Sequence, residues 1–519
     1  MCGILGVYKC NGISESLFKD QLDVINYRGP DSEGIWKSEN QKCYLGSKRL
    51  SINDLSSSGN MPMTYDSNFT IVFNGEIYNH IFIRNKLIEL GHTFNSKSDT
   101  ECVLKAYVEW GSDCLDAFEG MFSLIIYDKL KNHLFFARDI VGEKPLYYWK
   151  HKNGLSISSE LKQLLIDDEL DRKLELNALN NYLKNGYLKD SETLILNVFQ
   201  LPKAHYAIFD INSNKLKLKK YWELPKYIDT NKSLNSLTEE LDLLLMQSVK
   251  KQTECEVPFG VFLSGGVDSS LLTYYASKSS KEKIKTFHIS FPGHAQLNES
   301  KYAKLVSEIC DTDHYELDGG AISFELIKDL IENFSDPIAD SSILPTFLVS
   351  KLTSQKVKVA IGGDGGDELF GGYKTYKKFL RLDPILELIP EIFFKTIKSV
   401  AKLLPIGLKG RNLLLVTEKN AQSSFTSNRL FDEYSIKKML KIKPIKNYKI
   451  KSSINDLIYF FTSYDFNNYL TSNILKKVDR CSMANSLEVR APFLDKKIIE
   501  FAFEKVPSKY KTDKKRTKI

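Results

Sequence analysis

Long apolar runs are missing from this chain. None approaches the roughly 20 residues needed to cross a bilayer as a helix, so a membrane-spanning protein is not expected. The N-terminus lacks a basic n-region followed by an apolar h-region, so no secretory signal is expected. Cysteine is scarce: 8 among 519 residues, at 2, 10, 43, 102, 114, 255, 310 and 481. They form no CxxC pair and no Cys/His zinc spacing, and a chain this long has no need of disulfide staples. Excess charge of one sign is also missing, with 72 basic against 65 acidic residues and a net charge of +7. Lysines gather at 215–220, 442–451 and 509–518, without the aromatic interleaving or module that nucleic-acid binding requires, and read as solvated surface. There are no internal repeats and no Walker A string. The expectation is a soluble cytoplasmic protein with reduced thiols and no nucleic-acid or membrane partner.

What is present divides in two. Residues 1–225 read as short strands with turn signals between them (CGILGVYKC, NFTIVFNG, MFSLIIYD, HLFFARD, PLYYW), with helices around IFIRNKLIELG and TECVLKAYVEWG, the latter ending at a glycine. The stretch 226–240 is polar and reads as a linker running into an N-capped helix. Strand–helix alternation follows. VPFGVFLS, IKTFHISF and VKVAIGG are continuous apolar strands of the kind buried in a parallel sheet. Residues 380–519 read mostly helical.

Two strings in the second half point to phosphate chemistry. SGGVDSS at 264–270 follows a strand and opens a helix, so its amides and the helix N-terminus make an anion site. A carboxylate there, Asp268, makes sense beside phosphate when a metal lies between them. GGDGGDELFGGY at 362–373 follows the third strand, at the sheet's carboxyl edge, and offers Asp364, Asp367 and Glu368 among glycines. Taken singly, each string also reads as an ordinary capped turn or a solvated acidic turn.

These strings, with MCGI at 1–4, YRGPD at 27–31, RLSI at 49–52, NGEIYN at 74–79, SDTE at 98–101 and SLEVRAPFLD at 486–495, resemble the glutamine-dependent asparagine synthetase family in order and spacing over essentially the whole chain. The resemblance implies an α/β two-domain protein. An N-terminal α/β/β/α sandwich of the N-terminal-nucleophile hydrolase type would span 1–225. A doubly wound parallel-sheet PP-loop ATP pyrophosphatase domain with a helical C-terminal part would span 226–519. It also implies removal of Met1, so that the Cys2 thiol attacks the glutamine side-chain amide with its own α-amine, of reference pKa near ~7.7–8.0, as base. Asn74 and the Gly75 N–H would form the oxyanion hole. Arg49, Leu50, Ser51, Ile52, Asn53, Asn74, Gly75, Glu76 and Asp99 would bind glutamine, with Arg49 on its α-carboxylate and Glu76 and Asp99 on its α-ammonium side.

In the second half, Leu263, Ser264, Gly265, Gly266, Asp268, Ser269, Ile289, Gly362 and Gly363 would bind ATP. Leu263 and Ile289 read equally well as strand core. Asp268 and Asp367 would carry Mg²⁺ through pyrophosphate, with Asp364, Asp367 and Glu368 as candidate synthetase acids. ATP and Mg²⁺ are the implied cofactors. Glutamine and aspartate, or another carboxylate, are the implied substrates, and a homodimer the implied assembly. Three departures stand out. Asp364 occupies a position where the family often has Glu, which leaves a sugar-acid acceptor open. Asn60-Met61-Pro62-Met63 replaces the family's Gln-Pro-Met, with little effect expected. The chain stops at KYKTDKKRTKI, short of the family's basic segment and its pyrophosphate-facing lysine, so an incomplete synthetase domain, and with it a chain that only hydrolyses glutamine, is a further expectation.

Overall fold

The computed structural model describes residues 2–228, 231–291, 299–320, 324–405, 408–426, 430–431, 433–440 and 456–518. The lysine-rich stretch 442–451 therefore lies outside the described residues. In the first half two six-stranded antiparallel sheets face each other. One has the order β10 (Val198–Gln200), β8 (Tyr147–His151), β9 (Gly154–Ser158), β1 (Cys2–Lys9), β3 (Cys43–Arg49) and β2 (Ser32–Lys37). The other has the order β12 (Lys215–Lys220), β11 (His205–Asp210), β7 (His133–Arg138), β6 (Gly120–Asp128), β5 (Phe69–Ile77) and β4 (Met63–Tyr65). Ile4, Leu45, Val72, Ile125 and Phe136 fill the space between them.

Helix α1 (Glu15–Asp23) covers the outer face of the first sheet through Phe18 and Leu22, which pack on Leu5 and Val7. Helices α2 (His80–Glu89) and α3 (Asp99–Trp110) cover the second through Ile83, Leu87, Val103 and Tyr107. The layers are thus α/β/β/α. This is why β1 is buried along its whole length: it has a helix on one face and a sheet on the other. α3 ends, as the sequence indicates, at Gly111 with φ +59°, a backbone that glycine adopts at little cost.

The second half is a five-stranded, all-parallel sheet in the order β15 (Asp313–Asp318), β14 (Lys285–Ser290), β13 (Phe259–Phe262), β16 (Val359–Ile361) and β17 (Glu488–Arg490). Helices α4 (Leu234–Thr253) and α5 (Val267–Ser279) cover one face, with Val249, Leu272 and Ala276 against Val261 and Ile361. Helix α6 (Ser300–Ile309) connects β14 to β15. Helix α7 (Ile343–Ser354) covers the other face through Val349 and Leu352. Two strands escape the sequence reading. β15 is an edge strand with alternating charge. β17 has three residues, two of them charged, inside the stretch read as helical. The helix α8 (Gly366–Phe370) follows β16. A helical rod then runs from Leu457 to Met483, with wide π-type turns over Phe466–Leu475 and an α-helical end, α9 (Lys476–Met483).

The halves are joined by buried charge. Arg28, fully buried, donates through Nε to the Cys2 carbonyl (3.3 Å), through Nη1 to Glu160 Oε1 (2.7 Å), and through Nη1 and Nη2 to both Asp479 oxygens on α9 (2.9 and 3.1 Å). Beside it Arg480 donates to the Tyr147 hydroxyl (2.6 Å), while Asp336 takes hydrogen bonds from Tyr147 Oη and Lys476 Nζ (both 2.8 Å). Apolar contact crosses as well: Ile140, Val141 and Ala204 share a buried cluster with Leu245, Val249, Phe466 and Leu470, Met121 meets Met483, and Leu50 and Ile52 meet Val359. Because Arg28 holds two carboxylates in a dry interface, Arg28→Ala leaves each with only its more distant cation, Arg480 for Glu160 and Lys144 for Asp479. The expected cost is about 3–5 kcal/mol, read as an earlier urea midpoint, with Arg28→Lys losing less.

Candidate active site

Cys2 begins β1 and pairs across to Arg49 at the end of β3. Its backbone N–H donates to Asn74 Oδ1 (3.0 Å), and Asn74 Nδ2 makes a long contact with Ser123 Oγ (3.4 Å). Burial pushes the Cys2 thiol above its ordinary value, while the Leu50 N–H and Arg49 pull it back. Gly75 follows Asn74 on β5. A Cβ there would lie 2.1 Å from the Met121 carbonyl, so the close strand pairing at this point needs glycine.

Arg49 is buried in a collar of oxygens. It donates to the carbonyls of Ser56 (3.4 Å), Asn53 (3.2 Å) and Asp54 (2.6 Å) and to Asn60 Oδ1 (2.9 Å). Among the described residues no carboxylate pairs with it. The collar orients the guanidinium without neutralising it, the state in which it can take a ligand carboxylate. Asn60, in the loop from which the sequence led us to expect little, is one of its supports. Leu50 and Ile52 turn their side chains into the interface with Val359, so they can offer a ligand backbone groups. The Ser51 N–H is held by Asp31 (2.8 Å), which also pairs with Lys358.

Glu76 and Asp99 are both buried. Glu76 accepts from Asn53 Nδ2 (2.5 Å) and pairs with Arg490 Nη2 (3.2 Å), and Asp99 accepts the Ile77 N–H (3.0 Å). Arg490 reaches in from β17, where its Nε is already held by Glu488 (2.6 Å). Two carboxylates thus share one guanidinium, and Asp99 lies close to them without a cation contact of its own among the described residues. Burial, then Asp99, pushes Glu76 up to about 8. Burial pushes Asp99 up to about 6, with Glu488 adding to it. Arg490 and Glu488 were not picked out by the sequence reading, although they stand inside the SLEVRAPFLD string as charges flanking a single valine.

At the other end, β13 and β16 are neighbours, so the loops that leave them meet. Ser264 Oγ and Ser269 Oγ lie 3.0 Å apart, and the Gly266 N–H points back to Ser264 Oγ (3.2 Å). Gly265 has φ +81°, and a Cβ there would sit 2.6 Å from the Ala303 amide nitrogen, so the turn requires glycine. A Cβ on Gly366 would lie 2.7 Å from Asp268 Cγ, so the second loop presses directly on the first. Asp268 and Asp367 converge on one cation, Lys518 Nζ; the Asp367 contact is 2.6 Å. The tail that carries Lys518 is held by Thr512 on the Gly371 carbonyl and by Arg381 on the Lys514 carbonyl (2.9 Å).

The sequence led us to expect no lysine here; the structure supplies one. It also withdraws part of the 509–518 cluster from the surface, since Lys511 is buried as well. Asp364 is half-buried. Glu368 turns the other way on α8, buried under the Tyr373 hydroxyl that donates to it, and burial pushes it up to about 8. The Leu263 side chain is strand core, with its backbone paired to Phe287, and Ile289 is half-buried on β14. Gly362 is tied to β17 through Arg490, and Gly363 borders Asp268.

The first half is built like an N-terminal-nucleophile amidotransferase, and the second like an ATP-using synthetase of the PP-loop kind. Comparison with known proteins agrees. Residues 1–222 match the glutamine amidotransferase domain family, and residues 240–519 match the asparagine synthase family. The chain belongs to the asparagine synthase family. Asparagine synthetase [glutamine-hydrolyzing] 1 of Bacillus subtilis is 33% identical over 547 residues, covering 100% of this chain and 83% of that one. A chain from Methanocaldococcus jannaschii is 34% identical, covering 95% of this chain and 100% of that one. Asparagine synthetase [glutamine-hydrolyzing] 3 of Bacillus subtilis is 27% identical, covering 97% and 81%. The protein is accordingly a ligase that draws its amido nitrogen from glutamine and uses ATP. No helix among the described residues is long and apolar enough to cross a membrane.

The raised Glu76 and Asp99 carboxyls make stability depend on pH with a definite sign. Both bind a proton more tightly in the folded chain than in the unfolded one. Their contribution is complete below the ordinary carboxyl value of about 4.3 and is lost as pH rises through about 8. The urea midpoint should fall between about pH 5 and about pH 8, and Glu76→Gln should flatten that slope.

Proposed function

We propose that the protein amidates the side-chain carboxylate of L-aspartate, giving L-asparagine, AMP, pyrophosphate and glutamate. The observation that carries this reading is the placement of Cys2. It stands at the head of a buried strand with its nitrogen on Asn74, and Arg28 ties its carbonyl to the synthetase helix α9. Once Met1 is removed, that nitrogen is an amine on the same residue as the thiol and takes the thiol's proton as it attacks the glutamine amide. Asn74 Nδ2 and the Gly75 N–H steady the oxyanion, a contribution of the order of 10²–10³ in rate per donor. Arg49 receives the glutamine α-carboxylate. Glu76 and Asp99 receive its α-ammonium.

In the synthetase half, the Ser264–Ser269 loop and the N-terminus of α5 hold the triphosphate. Asp268 and Asp367 suit a Mg²⁺ ion, because their carboxylates already converge on a cation. A bound Mg²⁺ would supply charge neutralisation on the phosphates. Lys518 then moves from the acids onto the pyrophosphate as it departs. The aspartate carboxylate displaces pyrophosphate from the α-phosphorus, and ammonia displaces AMP from the acyl carbon.

Aspartate is favoured as acceptor over a sugar acid because an opposed pair stands beside Asp364. Lys477 Nζ is 3.0 Å from Asp340, and Asn473 donates to the same carboxylate (2.8 Å). An acid and a base side by side suit a zwitterion, which a sugar acid is not. The sugar-acid reading keeps one support, the shorter acid at Asp364. Homodimer assembly also belongs to this proposal, with light scattering as its test.

With glutamine, aspartate and Mg-ATP the products are asparagine, AMP and pyrophosphate in equal amounts. Cys2→Ala abolishes the glutamine-driven reaction and retains the ammonium-driven one; loss of both would refute the two-site reading. Lys518→Ala leaves glutamine hydrolysis intact and lowers aspartate-dependent ATP–pyrophosphate exchange at least about tenfold, the loss of one charged contact in the transition state. Intact-mass measurement shows Met1 absent; a retained Met1 would remove Cys2 from its assigned role.

A further inference from the structure

His288 stands on β14, one residue before Ile289, and is 6% exposed. The ladder between β13 and β14 runs as far as the pair Phe262 and Phe287. Beyond that pair the chain leaves the sheet to form the Ser264–Ser269 loop. At the point of departure the Leu263 N–H donates to the Phe287 carbonyl (2.9 Å), and the Leu263 carbonyl accepts from the imidazole of His288 at Nδ1 (3.0 Å). A carbonyl can only accept, so Nδ1 carries the proton. His288 Nε2 is buried with no hydrogen-bond partner among the described residues. The ring's hydrogen bond therefore goes to the residue that leads into the loop.

The Leu263 carbonyl and the Ser264 N–H belong to one planar peptide unit and point away from its opposite edges. The second edge is held too. The Ser264 N–H donates to Ser269 Oγ (3.2 Å), and that hydroxyl lies 3.2 Å from the Gly266 carbonyl, to which it can donate. His288 and Ser269 thus clamp one rigid plate from both sides. Its tilt sets the direction in which Gly265, at φ +81°, and Gly266 continue, and hence where the loop's amides point. The ring is itself braced. His314 on β15 lies nearly parallel to it, with centroids 6.4 Å apart and planes at 24°. His314 Nδ1 is 2.9 Å from Thr286 Oγ1, which is 2.9 Å from Thr312 Oγ1. Side chains alternate along a strand, so this polar group lies on the sheet face opposite Phe287 and Tyr315, which pack on α7.

We propose that His288 is a positioning residue for ATP: by holding the Leu263–Ser264 peptide plane it sets the loop's amides to receive phosphate. The proposal rests on the reading above in which that loop holds the triphosphate. His288 acts through Leu263 and need not touch the nucleotide. IKTFHISF reads in sequence as a buried strand, and nothing in the motif strings picks out its histidine.

The test is binding of Mg-ATP to the full chain by titration calorimetry, without glutamine or acceptor, so the result does not depend on which carboxylate is amidated. His288→Ala should weaken binding about fivefold, the effect of one lost hydrogen bond. Carboxamide variants separate the hydrogen bond from packing. An Asn Nδ2 falls where the imidazole Nδ1 stands, whereas a Gln amide reaches the Nε2 position. His288→Asn should therefore recover most of the affinity and His288→Gln should not. Glutamine hydrolysis should run at the wild-type rate in all of these variants. Equal affinity in the wild type and His288→Ala, or equal losses in His288→Asn and His288→Gln, overturns the proposal. If His288→Ala fails to fold, seen as lost glutamine hydrolysis, the comparison of Asn with Gln decides. A wild-type chain that does not bind Mg-ATP refutes the reading of the loop itself, and the role of His288 with it.

Discussion

Arg28 is the side chain on which both halves depend. It has no exposed surface, and its guanidinium reaches the carbonyl of Cys2, a carboxylate of its own half and both oxygens of a carboxylate from the other. A planar cation with five donors can do this; a lysine at the same point could satisfy one direction at a time. Burying such a group is costly unless every charge around it is matched. The interface meets that condition with a lattice: Arg28, Glu160, Asp479, Arg480, Asp336 and Lys476 share close contacts, with Tyr147 bridging two of them. A lattice of directional bonds fixes relative position more sharply than apolar packing does, and a chain with two reaction sites has use for that.

The fold was legible where periodicity carries it. β1, β5 and β6 are apolar runs because each is covered on both faces, and the strand–helix rhythm after 236 pointed to the parallel sheet and its two glycine–acid loops. β15 was not legible: as an edge strand it alternates charge and does not read as buried. β17 was hidden for a different reason. It is three residues long and two of them are charged, and they are buried by pairing, Glu488 with Arg490 and Arg490 with Glu76, which hydropathy does not register.

The site was legible as a list of residues and illegible as a set of connections. Cys2, Arg49, Asn74, Glu76 and Asp99 do come together, and so do the glycine–acid loops. What the strings could not tell is which acids face the ligand. Asp367 and Glu368 are adjacent in the second loop, yet on a helix adjacent residues point about 100° apart. Asp367 meets Asp268 across Lys518, and Glu368 goes under Tyr373. Lys518 was read as part of a solvated run because lysine clusters usually are. Only the path of the tail along Gly371 and Arg381 brings it to the acids.

The acids also explain why the two halves cannot be understood apart. Near Cys2 there are three buried carboxylates, Glu76, Asp99 and Glu488, and the cation that pairs with the first and the last, Arg490, comes from the parallel sheet of the second half. Nearby positive charge, the chain's terminal amine first and then Arg490, holds Glu488 down to about 2, while burial pushes Glu76 and Asp99 up. Glu76 and Asp99 therefore keep protons at pH values where water would remove them. β17 supplies Arg490 to Glu76 and also lines the space beside Asp364 through Val489, so three consecutive residues touch both regions.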